Sequence, residues 1–62
     1  MKTVNERIDE LKAQFRKLSP KYQAELVSRA KAYIEKYPHM ADASIFWRGL
    51  SARQVISAFY GG

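Results

Sequence analysis

A serine and two prolines bracket the stretch that the rest of this chain must fit around. Ser19 can cap a helix, Pro20 suits its first position, where no N–H donor is needed, and Pro38 cannot continue the ladder. Between them Tyr22, Leu26, Ala30, Tyr33 and Tyr37 recur at steps of three and four, with Val27 and Ile34 beside them. The spacing predicts a helix over 20–37 with one broad apolar face. The other face carries Lys21, Glu25, Arg29 and Lys36, spaced so that Lys21/Glu25 and Glu25/Arg29 can pair. Each such pair contributes only about 0.2–0.5 kcal/mol, so the apolar face decides where the helix docks.

That face needs a cover, and a chain of 62 residues has little to cover it with. Domains of this size bury only about 60% of the surface that the unfolded chain exposes. Cysteine is absent and there is one histidine, so disulfides and cysteine or histidine-rich metal sites are excluded as staples. Dense helix packing or self-association remains. Eleven Lys and Arg against six Asp and Glu favour contact with nucleic acid, an acidic membrane surface or an acidic protein. The longest strongly apolar run is Ile45-Phe46-Trp47, far short of the roughly 20 residues of a membrane helix. The charged N-terminus has no apolar signal core, so the expectation is a soluble, cytoplasmic protein that does not enter membranes.

Thr3-Val4-Asn5-Glu6 has the form of a capping box and opens a first helix, expected over 4–18. Its apolar residues Val4, Ile8, Leu11, Phe15 and Leu18 alternate steps of four and three, a narrow seam that one neighbouring helix would cover. Only Ser19 separates this helix from the next, whereas antiparallel helix hairpins usually take a loop of about two to five residues. A sharp corner is therefore expected, with a second copy of the chain completing the core as a homodimer. The corner gathers Lys12, Arg16, Lys17 and Lys21 with no acid between Leu11 and Ala24, the densest basic region of the chain.

Past Pro38-His39-Met40-Ala41, which reads as a loop, Asp42 is a plausible cap. A short helix over 43–48 would end at Gly49, and Ser51-Ala52-Arg53-Gln54 is a second capping box opening a last helix over 52–60. Val55, Ile56, Phe59 and Tyr60 of that helix would face inward. Two short helices joined through Gly49-Leu50-Ser51 read as a helix-turn-helix. Gly49-Leu50-Ser51, with Val55 and Ser57-Ala58 after it, resembles the turn and recognition helix of bacterial repressor families with a G-V-S-x-x-x-V-S pattern, over about 18 residues. The resemblance implies DNA binding, with Ala52, Arg53, Gln54 and Ser57 on the exposed start of the recognition helix. There Arg53 would read guanine and Gln54 adenine. Those families carry a small residue four positions before the turn glycine; here that residue is Ile45, so the crossing would have to open. The same segment also reads as two short helices that merely cap the long pair with their aromatic side chains.

Catalysis has no support in these spacings. Neither a nucleophile beside a base, nor a set of metal ligands, nor a glycine-rich phosphate loop occurs, and Asp9 and Glu10 diverge by about 100° on a helix. His39 reads as a solvated loop residue.

The sequence thus predicts one all-α domain over 1–62: two longer helices joined by a sharp corner, followed by two short helices. The expected function is that of a small non-enzymatic regulator, without cofactor or metal, associated with DNA or a DNA-bound complex. Lys12, Arg16, Lys17, Lys21, Arg48, Arg53 and Gln54 are its candidate nucleic-acid contacts. The alternative is a protein-interaction module, an inhibitor or adaptor, that docks Phe46, Trp47, Phe59 and Tyr60 on a larger protein.

Overall fold

The computed structural model describes residues 2–60, and among these the chain is all-α, with no strand longer than an isolated bridge. Three α-helices form, α1 over Val4–Arg16, α2 over Pro20–Lys36 and α3 over Ala52–Phe59, with a single 3-10 turn at Pro38–Met40. Among the described residues no helix is long and apolar enough to cross a membrane.

Three of the expected caps, Thr3, Ser19 and Ser51, fall where the sequence places them, whereas Asp42 opens no helix. Thr3 Oγ1 accepts the Glu6 N–H at 3.2 Å and Ser19 Oγ accepts the Tyr22 N–H at 3.3 Å, each satisfying a donor that a helix start leaves unpaired. At Ser51 both halves of the capping box are made: Ser51 Oγ accepts from Gln54 N at 3.1 Å, and Gln54 Oε1 accepts from Ser51 N at 2.8 Å. The ends are shorter than periodicity suggests. α1 stops at Arg16, not 18: the Lys17 N–H is shared between the Ala13 and Gln14 carbonyls, and the Leu18 N–H bonds the Phe15 carbonyl, three residues back, which tightens the last turn. Gln23 then donates its side-chain amide to the Arg16 and Leu18 carbonyls at 3.0 and 2.6 Å, closing the end of α1 from the first turns of α2. Tyr37, at φ −129 and ψ 71, is outside α2 because the residue before a proline is pushed away from helical angles.

The expected short helix over 43–48 does not form. Residues 41–50 run through turns, and the chain reverses at 47–50, where Trp47 N donates to Leu50 O at 3.0 Å and Leu50 N to Trp47 O at 2.8 Å. Arg48 at φ 49 and Gly49 at φ 103 give the two central residues of this turn the positive φ of a two-residue hairpin. Gly49 does adopt the left-handed region, but as a turn residue and not as a helix stop. A six-residue helix has few internal bonds to repay its nucleation, and the reversal replaces it.

The reversal places Trp47 and Leu50 in the core. α3 packs against both α2 and α1, whereas α1 and α2 make little direct contact, so α3 and the turn close an interior that the first two helices do not close against each other. One cluster joins Leu11 and Phe15 of α1, Leu26, Val27 and Ala30 of α2, Trp47 and Leu50 of the turn, and Ala52, Val55 and Ala58 of α3. The inward face of α3 is therefore small residues three apart, which allows close approach to α2; Phe59 and Tyr60, expected inward, lie on the surface, and Ile56 is half-buried. The middle and lower part of the α1 seam is covered by the chain itself, while Val4 at its upper end is 76% exposed.

Candidate nucleic-acid interface

The basic residues named by the sequence separate into two groups. Lys12, Arg16 and Lys17 occupy the second half and cap of α1, and Lys21 the first turn of α2, so all four gather about the connection at 17–19. Lys17 and Lys21 are exposed, as is Arg16, and Lys12 is half-buried. Arg16 also helps hold the fold together. Its Nε donates to the Ala58 carbonyl at 3.4 Å, fastening the last turn of α1 to the last turn of α3 and occupying a carbonyl that a helix end leaves open.

Arg48, Arg53 and Gln54 stand elsewhere. Arg48 lies over the Trp47 ring, 5.2 Å from its centroid, and lines a groove with Lys2, Val4, Arg7 and Ile8 at the opening of α1. The groove residue of α1 nearest to Arg16 is Leu11, about 7.5 Å away along the axis at about 1.5 Å of rise per residue. Arg53 pairs with Asp42, Nε to Oδ1 3.2 Å, and both side chains are largely exposed. Its backbone N–H also holds the Ala41 carbonyl at 3.2 Å, tying the turn segment to the start of α3. Gln54 turns its carbonyl oxygen back onto the Ser51 cap. With the first short helix absent, the pair of short helices expected over 43–60 does not form, and two of the expected base-reading groups are engaged within the chain.

The four aromatic residues near the C-terminal end also divide. Trp47 is buried at 9% exposure, edge-on to Phe15 with centroids 5.8 Å apart, and Phe46 is half-buried against Tyr33, centroids 5.4 Å apart. Phe59 and Tyr60 remain outside, 37% and 63% exposed, packed edge to face on each other at 5.1 Å.

These two rings meet Lys31, a residue that its place in the sequence does not single out. Lys31 donates to the Tyr60 hydroxyl at 2.9 Å and lies 5.0 Å from its ring centroid, closing a cleft of about 210 Å³ between α2 and the end of α3. Ala24, Val27 and Ser28 form its α2 wall. Lys21, Ala24, Ser28 and Lys31 are three, four and three residues apart, so they share one face of α2 that leads from the basic connection to the aromatic pair. The spacing is legible in the sequence; that Phe59 and Tyr60 land beside it is not, because that depends on how α3 packs across α2. Among the described residues no three His, Cys, Asp or Glu side chains come together as a metal site.

Neither a family model, nor a curated protein, nor a solved structure matches this chain.

Proposed function

We propose that this protein is a small non-enzymatic regulator of the cytoplasm that binds DNA or a DNA-bound complex, holding the phosphate backbone at the corner between its first two helices. The observation that supports this reading is the gathering of Lys12, Arg16, Lys17 and Lys21 about one short connection, with no acid between Leu11 and Ala24. Phosphate contacts of this kind position a protein on nucleic acid without reading its sequence. Base readout by α3 is no part of the proposal, since Gln54 serves its cap and Arg53 is bonded to Asp42. The test is a titration of labelled oligonucleotide at increasing salt: each neutralised phosphate releases counterions, so affinity should fall steeply. No complex at micromolar protein and low salt would sink the reading.

A protein partner is the second reading, favoured by the groove of about 340 Å³ at the opening of α1. Val4, Ile8 and Leu11 give it an apolar lining, and Arg7 and Arg48 supply cations that suit an acidic segment, while Lys2 is paired with Glu10. The exposed end of the α1 seam, Val4 with the half-buried Ile8, is also where two copies of the chain would pair.

A further inference from the structure

We infer that the cleft between α2 and the end of α3 is a stacking site for single-stranded nucleic acid, in which Tyr60 is the platform for a base and Lys31 and Lys21 follow the backbone. This rests on the nucleic-acid reading above and adds to it the form of the ligand.

Tyr60, 63% exposed at the end of α3, lines the cleft together with Phe59. Its hydroxyl accepts from Lys31 Nζ at 2.9 Å, and the Phe59 ring packs edge to face with it at 5.1 Å. An aromatic face prearranged in this way offers a base a surface to stack on, with little ordering left to do on binding. The cleft, at about 210 Å³, is smaller than the roughly 300–1,000 Å³ of sites that enclose a small molecule, so it suits a ring laid against its edge and not an engulfed metabolite. The cations are placed for a strand: Lys31 is at the cleft, Lys21 lies on the same α2 face, and Lys17 and Arg16 stand at the connection beyond. A basic track that ends on exposed aromatic rings is the arrangement by which sequence-tolerant proteins hold single strands, since every base has a stackable face. Duplex DNA keeps its bases stacked on one another and offers Tyr60 no such face.

The test compares a labelled oligo-dT strand with a duplex of equal length by fluorescence anisotropy, in wild type, Tyr60→Ala, Tyr60→Phe, Lys31→Ala and the Lys17→Glu/Lys21→Glu double variant. Wild type should prefer the single strand. Tyr60→Ala should weaken oligo-dT binding by roughly five- to a hundredfold while leaving duplex binding unchanged, and Tyr60→Phe should stay within about twofold of wild type. Lys31→Ala should lower the slope of log affinity against log salt by about 0.7, one phosphate's share on a single strand. Since Tyr60 is exposed, thermal melts of its two variants should overlay wild type. Oligo-dT binding undiminished in a folded Tyr60→Ala, or a preference for duplex, would overturn the stacking site while leaving the backbone reading intact. Failure of both ligands to bind wild type would remove both.

Discussion

The indole of Trp47 meets the ring of Phe15 edge-on, with centroids 5.8 Å apart and planes at 78°. This contact joins a turn residue to the first helix, and Phe15 has no exposed surface at all. Edge-to-face ring pairs add about 0.5–1.5 kcal/mol beyond the burial of the rings themselves. Trp47→Ala should therefore lower stability by about 3–5 kcal/mol, enough to unfold a domain this small. Chemical denaturation of the variant checks it, as does blue-shifted, quencher-resistant tryptophan emission from the wild type.

Gly49 should tolerate no side chain. Its φ of 103 is in the region where L residues are strained, and a Cβ there would stand 3.3 Å from Leu11 Cδ1. Gly49→Ala should lose about 1–3 kcal/mol, read as a drop in melting temperature, whereas an alanine at exposed Ser57 should lose less than about 0.5 kcal/mol.

Ser51 is 1% exposed and its hydroxyl oxygen receives the Gln54 N–H. Ser51→Ala should cost about 1–2 kcal/mol, because it removes a cap and leaves a donor at a buried helix start. Gln54→Ala breaks the reciprocal bond to Ser51 N, so the double variant should be less destabilised than the two single losses added together. A double-mutant cycle by thermal melting measures that coupling.

Lys17 and Lys21 should matter for ligand and not for fold. Lys17 and Lys21 are exposed, and among the described residues no ion pair holds them. Lys17→Glu/Lys21→Glu should weaken nucleic-acid binding and flatten its salt dependence, with the melting temperature little changed. An unchanged salt slope in the double variant would place the contact surface elsewhere.

Self-association, if it uses the α1 seam, must use its open end. Leu11 is 5% exposed within a single chain, so Leu11→Lys should unfold the protomer itself, while Val4→Lys, at a position 76% exposed, should dissociate a dimer and leave each copy folded. Light scattering paired with circular dichroism separates the two outcomes.

Local chemistry is readable from the residues alone. Ser19-Pro20, Thr3 and Ser51-Gln54 start helices because their side chains satisfy backbone donors only a few residues away. The alternation in Val4, Ile8, Leu11, Phe15 and Leu18 marks the face of α1 that turns inward at its centre. The absence of cysteine and the shortage of acid along the first connection likewise need no coordinates. The same reasoning fails at 43–48, where apolar residues in a row suit either a short helix or a buried turn, and at Phe59 and Tyr60, whose hydrophobicity suggests an interior place.

Those choices belong to the tertiary structure. α3 approaches α2 through Ala52, Val55 and Ala58, small side chains that let the backbones come close, and this orientation turns Phe59 and Tyr60 outward to meet Lys31. Trp47 takes the central position instead, because the reversal at Arg48 and Gly49 brings it against Phe15. The three helix starts that form depend on neighbours three residues apart and are decided by sequence. Which of several aromatic residues enters a core with room for few depends on packing between segments far apart in the chain, such as those of Phe15 and Trp47, and only the folded chain decides it.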